Sequence, residues 1–471
     1  MKKKILKKTL ALFLSSVLAL GMVACSGSND QTTSATDDSE AKSTTASSGT
    51  QGNEPVEVVF WHSTSGATGE ALESVIKTYN ETRGAEKNIK VNLVFQGYEG
   101  TDKVILAYQT KDTENAPDIN QGLTSTIPSM MDLDWTVSAD SYLNDSNSDI
   151  NKDSFYEAMQ RSCYYEGEMV AVPFANSTLL LYYNVDALKE AGLDGPPTTM
   201  DELIDYVDKL TIRDASGQAT RYGLNVQVKR YQLVNFIVSQ SENSFFGDNE
   251  GGRSAPMTKL TIGEDGTLRN FLEKWDTLLN TGGYKYVEDS INEEFAQGLS
   301  AMVIMSSSRI GTINSLIDDS FSYMTAPIPK VNADDTSGAA VGGSCLLMFD
   351  RGNSARVDAA WDVLQYCSSP EAQIIISKAS GYMPVNVEAE NTQEMQDFYQ
   401  EFPQYKVALD SVKKASPLAQ EPLDVVYNEI NGIITKVMLD FCERNLTIDG
   451  AIDKLVSECN AAMDEYYEAN N

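Results

Sequence analysis

The hydrophobic positions after residue 54 follow two different periods, one typical of strands and one typical of helices. Apolar and polar residues alternate from Ile89 to Phe95, which predicts a strand, and a second strand is predicted in EPVEVVFW just before it. Between them, apolar residues recur at helical spacing from Leu72 to Tyr79. A strand–helix–strand unit of this kind pairs its strands in parallel through a right-handed crossover. The opening of the chain is therefore predicted to be α/β, with a twisted, mainly parallel sheet.

The middle of the chain predicts further helices and short strands. A helix near residues 101–111 precedes a short strand in NAPDINQG. Thr199 is the predicted N-cap of the helix in MDELIDYVDKLT, and Glu202 is expected to complete a capping box with it. A hairpin turn is predicted in RDASGQATRYGL, and a helix, a turn, a strand and a serine-rich turn are predicted in EEFAQGLSAMVIMSSSRIG.

Helices are predicted after residue 358, and the last sixty residues are predicted to be helical. Two helices in AAWDVLQYCSSPEAQIIISKASGYMPV are expected to break at Ser369-Pro370, because proline disfavours helical backbone in the residue before it. Beyond them, the clearest helical stretches run from Leu418 to Leu439 and from Ile452 to Tyr466.

The first 54 residues carry signals for export and anchoring. Five lysines precede a short apolar run, which is the pattern of a signal peptide over residues 1–24. The run ends in MVAC, which resembles a bacterial lipobox and makes Cys25 the expected lipid-bearing residue. Residues 25–54 contain no aromatic residue and no aliphatic residue larger than alanine, so they predict a disordered tether. The expected location is extracytoplasmic, with the body anchored to the cell membrane.

Charge and cysteine content exclude several classes of function. Without residues 1–24, which hold five lysines, the chain has 31 basic and 68 acidic residues and a net charge of −37. Such a field repels nucleic acid, so the membrane contact is expected through the lipid alone. The five cysteines after Cys25 are widely spaced and form no CxxC, so buried free thiols are expected. The body of roughly 415 residues predicts two or three domains, or one two-lobed unit.

The search for catalytic and metal-binding patterns is mostly negative. His62 is the single histidine, which excludes HExxH and any multi-histidine metal site. The acidic run beginning at Asp145 has the first three positions of a calcium loop but lacks the glycine at position 6 and the glutamate at position 12. Neither a metal nor a cofactor is expected. A glycoside hydrolase that uses a pair of carboxylates remains the enzyme alternative.

Aromatic residues beside small polar residues at strand ends give the stronger signal. In open α/β sheets, ligands bind outside the carboxyl ends of the strands. Aromatic faces together with serine, asparagine and glutamate suit a sugar or polyol. The residues of this kind are Trp61-His62-Ser63, Tyr98-Glu99, Trp135, Asn176-Ser177, Ser306-Ser307, Gly342-Gly343 and Tyr382. Trp61 is expected to form a wall of the binding cleft and His62 to be a residue of the adjoining turn.

The residues resemble the carbohydrate-type extracellular solute-binding lipoproteins of bacterial ABC importers, the class that includes the maltose-binding protein. Within that class the chain is most similar to the glycerol-3-phosphate-binding branch. The resemblance covers nearly all of residues 55–471. The resemblance rests on seven segments that occur in the same order as in the family: FWHS, FQGYEGTDK, NAPDI, VPFANSTLLLYYNVDALKEAGL, FAQGLSAMVIMSSS, VGGSCLLM and SGYMPV.

The resemblance implies a two-lobed periplasmic-binding-protein-like fold in which each lobe is a mainly parallel twisted sheet flanked by helices. The N-terminal lobe is expected at residues 55–170 and 343–381, and the C-terminal lobe at 172–340 and 384–471. Three hinge crossings are expected near Val170–Pro173, Ala340–Gly343 and Gly381–Pro384. The protein is expected to be a monomer without enzymatic activity that closes on its ligand and is then recognised by ABC-transporter permease subunits.

The resemblance also implies the ligand-binding residues. They are Tyr98, Glu99, Ser177, Ser306 or Ser307, Gly343 and Tyr382. Two departures bear on the ligand. The branch has tryptophans in the middle of the chain, and the nearest positions here are Gln227 and Arg230. Late in the chain the branch has arginines that suit a phosphate, and Glu421 stands about where one would be expected.

A neutral ligand is the preferred expectation, because a carboxylate beside a phosphate is repulsive. Glycerol-3-phosphate or a glycerophosphodiester is the alternative ligand, with Arg230 or Arg309 as the cationic residue. A surface adhesin that binds glycans without transport is a further alternative.

Overall fold

The computed structural model describes residues 54–287, 289–317 and 320–470. The predicted signal peptide, Cys25 and the predicted tether up to residue 53 lie outside the described residues. Within the described part of the chain, no helix is both long and apolar enough to cross a membrane.

The described residues contain fourteen strands. They are β1 Val56–His62, β2 Ile89–Phe95, β3 Ile119–Leu123, β4 Thr136–Val137, β5 Tyr164–Tyr165, β6 Glu168–Met169, β7 Val172–Ser177, β8 Leu179–Asn184, β9 Ile212–Arg213, β10 Ala219–Asn225, β11 Tyr284–Lys285, β12 Ser300–Ser306, β13 Tyr323–Pro327 and β14 Gly342–Phe349.

Besides four 3₁₀ helices of three residues each, twenty α-helices accompany them in the described part of the chain. They are α1 Gly66–Glu81, α2 Arg83–Lys87, α3 Gly100–Thr110, α4 Ile127–Met131, α5 Asp140–Leu143, α6 Glu157–Ser162, α7 Val185–Glu190, α8 Met200–Leu210, α9 Arg230–Val238, α10 Asp248–Gly252, α11 Thr267–Asn280, α12 Ile291–Ala296, α13 Ile310–Leu316, α14 Ser354–Cys367, α15 Pro370–Ser380, α16 Val387–Asn391, α17 Gln393–Glu401, α18 Pro403–Lys414, α19 Tyr427–Cys442 and α20 Ile448–Asn470.

Two six-stranded sheets organise these elements. The first has the order β2-β1-β3-β14-β4, with β7 also paired to β14, and the second has the order β11-β10-β12-β8-β13, with β9 paired to β10. The opening pair is parallel in register from Val56↔Ile89 to His62↔Phe95, as the sequence predicts. However, β14 runs antiparallel to β3, β4 and β7, and β8 runs antiparallel to β12 and β13. The sheets are therefore mixed, and the expectation of mainly parallel sheets is wrong.

Both faces of the second sheet are buried. Alternate residues of a strand point to opposite faces, so the side chains of β8 show what covers each face. In β8, Leu179 and Leu181 pack into a cluster with α8, α11, α19 and α20, which cover one face. Leu180 and Tyr182 point the other way, into the cluster that also surrounds the first sheet. The two halves of the molecule thus share a continuous apolar contact on one side of the second sheet.

The helix boundaries confirm several predictions and correct two. Ser369 caps α15 and the two predicted helices break there, since α14 ends at Cys367. Thr199 caps α8, but the Glu202 carboxylate accepts hydrogen bonds from the amide and hydroxyl of Thr198, so the predicted capping box does not form. The last-but-one helix begins at Tyr427 and not near Leu418, because Pro422 cannot donate a helical hydrogen bond.

The three segments predicted to cross between lobes lie side by side. Gly343 in β14 pairs with Asn176 in β7, and the amide of Met383 donates to the carbonyl of Asn176 at 2.8 Å. A left-handed residue lies in or close to each segment: Ala175 at φ 48°, two residues after Pro173, Gly343 at φ 110° and Gly381 at φ 99°. At Gly343 a side chain has no room, because an added Cβ would lie 2.3 Å from the carbonyl oxygen of Ala175.

Replacing Gly343 with alanine is expected to lower the free energy of unfolding by about 3 kcal/mol, because strain at φ 110° adds to a backbone clash. Urea unfolding at equilibrium measures the change. Gly352→Ala is the matched control, since Gly352 also has a positive φ, 94°, but no atom within 4 Å of an added Cβ. The control is expected to lose only about 1 kcal/mol. Equal losses in the two variants would contradict the claim that β14 needs glycine for its close approach to β7.

Candidate functional site

A cavity of about 590 Å³ lies between the two sheets, at the crossing segments. The first sheet contributes the ends of β1 and β3, and the second contributes the turn after β12. The cavity-lining residues are Ser63, Thr64, Ser65, Gly66, Ala67, Thr68, Tyr98, Gln121, Leu123, Ser177, Tyr231, Ser306, Ser308, Arg309, Gly311, Thr312, Ser315, Gly343, Ser344, Ala379, Ser380, Tyr382, Glu421 and Tyr427. The position agrees with the rule that open α/β sheets bind ligands beyond the carboxyl ends of their strands.

Five of the residues predicted to bind ligand line this cavity. They are Tyr98, Ser177, Ser306, Gly343 and Tyr382. Tyr98 is 73% exposed, in a short turn between β2 and α3, so its ring is available to a ligand. Tyr382 follows the left-handed Gly381 that ends α15, and burial raises its pKa to about 12. Its hydroxyl therefore keeps its proton at neutral pH and can donate a hydrogen bond.

Three other predicted residues lie outside the cavity lining for local reasons. Trp61 is an interior residue of β1 and packs in the core of the first sheet. Glu99 points to solvent and pairs with Lys103 at 3.6 Å. Ser307 is buried, and its amide donates to the carbonyl of Thr178 at 2.8 Å. Successive side chains of a strand point to opposite faces, so a residue next in sequence to a cavity residue can face away from the cavity.

Arg230 is also outside the cavity lining and belongs to a buried ion pair. Its Nη2 donates to the Asp424 carboxylate at 2.7 Å and to the carbonyl of Pro422 at 3.0 Å. The guanidinium lies over the ring of Tyr427, 4.4 Å from its centroid. Burial acts to lower the pKa of Arg230, but Asp424, Tyr427 and Glu421 together outweigh burial, so the pKa is raised. Arg230 thus supports the floor of the cavity through Nη2, whereas its Nε and Nη1 are buried and bond to none of the described residues.

Glu421 is the acidic residue that reaches the cavity from this floor. Its side chain is only 8% exposed, and within the described residues its carboxylate has no hydrogen-bond partner. Burial raises the pKa of Glu421, while the charges of Arg230 and Arg253 act to lower it. A desolvated carboxylate that only accepts hydrogen bonds requires donors, and the cavity side is where they can come from.

Tyrosines surround the cavity on the side of the second sheet. Tyr231, in α9, packs its ring against the start of β14, so that a Cβ on Gly342 would lie 2.6 Å from the ring. The Tyr231 hydroxyl is buried and meets the geometry of a hydrogen bond with none of the described residues, although the nearby hydroxyls of Ser177 and Ser306 act to lower its pKa. Tyr427 begins α19 and covers the Arg230 guanidinium. Burial raises the pKa of both tyrosines, so both are hydroxyl donors at neutral pH.

Sequence reasoning missed several cavity residues, of which Gln121 is the most informative. The Gln121 amide donates to the Ser344 hydroxyl at 2.9 Å, and its carbonyl accepts from the amide of Ser63 at 3.3 Å. It therefore fixes the turn after β1 against β14. A signal was available, because a glutamine two residues before the end of a buried strand is a polar residue at the carboxyl edge. Tyr427, Thr312 and Ser344 carried no comparable signal.

The structure offers no support for histidine or metal chemistry in the part of the chain that it describes. His62 is the last residue of β1, where the sequence analysis expected a turn, and its Nδ1 lies 3.1 Å from the Thr64 hydroxyl. Burial lowers the His62 pKa, so the ring is neutral at neutral pH. No group of three or more histidine, cysteine, aspartate or glutamate residues in the described ranges could hold a metal ion. Asp145 instead accepts hydrogen bonds from Asn147.

The arrangement matches a family of known proteins. A family model for bacterial extracellular solute-binding proteins matches residues 74–404. The chain is 25% identical over 427 residues to the sn-glycerol-3-phosphate-binding periplasmic protein UgpB of Rhizobium meliloti, covering 88% of this chain and 95% of that protein.

Solved structures share the fold. The sugar-binding protein MalE from Xanthomonas citri has a TM-score of 0.71 at 18% identity, covering 88% of this chain and 98% of that one. UgpB from Mycobacterium tuberculosis, in complex with glycerophosphocholine, has a TM-score of 0.69 at 19% identity, covering 88% of this chain and all of that one. The α/β architecture is the two-lobed one of these binding proteins, as the sequence analysis predicted.

Arg230→Leu is expected to lower the free energy of unfolding by about 3 to 5 kcal/mol, because it leaves the buried Asp424 carboxylate without its partner. Chemical denaturation measures this loss. The double variant Arg230→Leu/Asp424→Leu is expected to recover most of the stability, since it removes both charges. If the single variant keeps wild-type stability and loses only ligand binding, Arg230 is a ligand contact and not part of the floor.

Proposed function

The chain belongs to the family of bacterial extracellular solute-binding proteins, and from that premise we propose that it captures a neutral sugar or polyol between its two lobes and delivers it to an ABC importer. The observation that carries the proposal is the cavity of about 590 Å³ at the crossing segments, which is lined mainly by hydroxyl side chains and tyrosines. A cavity of this size is typical of small-molecule sites. Hydroxyls that both donate and accept suit a ligand rich in hydroxyl groups.

The charges of the cavity favour a neutral ligand. Glu421 is buried in the lining, and a phosphate beside its carboxylate would be repelled in a medium of low dielectric constant. Arg230, the cation that could offset this repulsion, is already bonded to Asp424. The net charge of −37 for the chain without residues 1–24 adds a field that opposes anions.

Glycerol-3-phosphate or a glycerophosphodiester is the second candidate ligand, and Arg309 favours it. Arg309 lines the cavity, and no carboxylate among the described residues lies within ion-pair distance of it. The relatives named for glycerol-3-phosphate binding add weight to this candidate. However, Arg309 is exposed, so water screens its charge, whereas Glu421 is desolvated.

The two-lobed arrangement gives the proposed capture its mechanism. We place one lobe at residues 55–170 and 343–381 and the other at 172–340 and 384–471, joined at the crossing segments. A ligand that contacts Tyr98 and Gln121 on one lobe and Ser306 and Tyr231 on the other stabilises the closed state more than the open state. Permease subunits would then recognise the closed shape.

The remaining parts of the proposal concern where the protein works. We place it outside the cell membrane, as a monomer anchored by a lipid on Cys25, which agrees with the extracellular family. Two acyl chains or more are needed for a stable anchor of this kind. No catalytic role is proposed, because the relatives are named as binding proteins and their names describe capture, not turnover.

A panel of sugars, polyols, glycerol-3-phosphate and glycerophosphodiesters, measured by thermal shift and calorimetry, tests the proposal. A true ligand at a hundredfold excess over Kd adds on the order of 2.7 kcal/mol and raises the melting temperature. Neutral sugars or polyols are expected to do so and glycerol-3-phosphate is not. Tyr98→Ala is expected to weaken binding roughly tenfold without loss of stability, because the ring is exposed and contributes mainly to the ligand.

Leu106→Ala is the matched control, since Leu106 is 59% exposed on the neighbouring α3 and lies outside the cavity lining. It is expected to bind like the wild type. A melting-temperature increase with glycerol-3-phosphate alone would favour the second candidate. Turnover of a chromogenic glycoside, with no stabilisation by any member of the panel, would overturn the receptor function itself.

A further inference from the structure

We propose that Glu421 and the hydroxyl of Tyr231 form a subsite for a protonated amine, so that the preferred ligand is an amine-bearing sugar or polyol. The inference rests on the proposed capture of a sugar or polyol and departs from it in charge, because the preferred member of that class is a cation and not a neutral molecule. Glu421 and Arg309 are the charged residues among the described cavity-lining residues. Of the two, only Glu421 is desolvated, and it therefore has the greater influence on which ligand charge the cavity accepts.

The unpartnered groups at this position define what the ligand must offer. Glu421 is 8% exposed, and its carboxylate bonds to none of the described residues. The Tyr231 hydroxyl is buried and meets the geometry of a hydrogen bond with none of the described residues, although the hydroxyls of Ser177 and Ser306 lie beside it. The carboxylate can only accept hydrogen bonds, whereas the hydroxyl can accept one as well as donate one. An ammonium group has three donors and a positive charge, so it can satisfy both oxygens at once.

The surroundings of Glu421 leave its cavity side open to a cation. Three charged residues act electrostatically on the Glu421 carboxylate, and none of them belongs to the cavity lining. They are Arg230, Arg253 and Asp424. Arg230 is neutralised by Asp424 at 2.7 Å, and Arg253 donates from its Nε to the carbonyl of Arg161. A cation arriving from the cavity thus meets the carboxylate before it meets either guanidinium.

The tyrosines make the subsite rigid and suited to an ammonium group. The ring of Tyr231 is held against the backbone of Gly342, so its hydroxyl needs no rearrangement to receive the ligand. Gln420 pairs with Val341, so the adjacent Glu421 adjoins the start of β14. The Tyr231 hydroxyl adjoins it as well, since it lies 3.2 Å from the position of an added Cβ on Gly342. Tyr427 lines the same cavity. Aromatic faces attract ammonium groups through the ring quadrupole. A hydroxyl at the same place would gain neither this attraction nor a charge-assisted bond.

Calorimetry on the full-length protein with matched sugar pairs tests the inference. The probes are three pairs: glucose with glucosamine, galactose with galactosamine, and cellobiose with the β-1,4-linked dimer of glucosamine. N-acetylglucosamine is the uncharged amide control. At least one amine is expected to bind roughly tenfold or more tighter than its neutral partner at pH 7, and N-acetylation is expected to remove the advantage. Glu421→Gln is expected to reduce the preference to about threefold or less, and Tyr231→Phe to reduce it in part.

Glu390→Gln is the matched control, because Glu390 is also 8% exposed but bonds to Tyr156 and Lys413 outside the cavity. It is expected to keep the amine preference. Melting temperatures of the variants without ligand separate misfolding from lost recognition, and Tyr231→Phe removes only a hydroxyl that meets the geometry of a hydrogen bond with none of the described residues. Neutral sugars that bind as tightly as their amines, or an amine preference that survives in Glu421→Gln, would overturn the subsite and leave the proposed function intact. Failure of every sugar and amine to bind would overturn both.

Discussion

The hydrogen bonds that join the three segments predicted to cross between lobes are the constraint on which the rest of the structure depends. Asn176 pairs with Gly343 on one side, and its carbonyl accepts from the amide of Met383 on the other. The side chain of Asn176 also donates to the carbonyl of Gly342 at 3.2 Å. These hydrogen bonds hold β7, the start of β14 and the turn after α15 side by side, and Ser177, Gly343 and Tyr382 from the three segments line the cavity.

Beneath the cavity, a buried group of charges places Glu421 where a ligand can reach it. Residues 417–424 are not helical, and this irregular backbone bonds to both halves of the molecule. The amide of Leu423 donates to Gly251, and the amide of Asp424 donates to Ser125. The consecutive left-handed residues Asn249, Glu250 and Gly251 shape the loop that receives it. The segment connecting α18 and α19 therefore serves as the floor of the cavity and not as a simple linker.

The sequence predicts the fold well where the pattern is local. The helix with Leu72 and Tyr79 on its buried face and the parallel pairing of β1 with β2 follow from periodicity alone. The antiparallel entry of β14 could not be predicted, because pairing between residues far apart in sequence depends on tertiary packing. Turn residues such as Tyr98 and Tyr382 were found through the family resemblance. Trp61, Ser307 and Arg230 were placed in the site because sequence shows proximity along the chain but not the direction of a side chain.

The central claim is that a solute binds between the two sheets and contacts both of them. Hydrogen–deuterium exchange of the protein with and without a sugar or aminated sugar that stabilises it tests this claim directly. With bound ligand, amide exchange is expected to slow on both sides of the cavity. The segments are residues 63–68 and 121–123 next to the first sheet and residues 306–312 next to the second. Protection confined to one of these sides, or found only at the surface distant from the crossing segments, would contradict it.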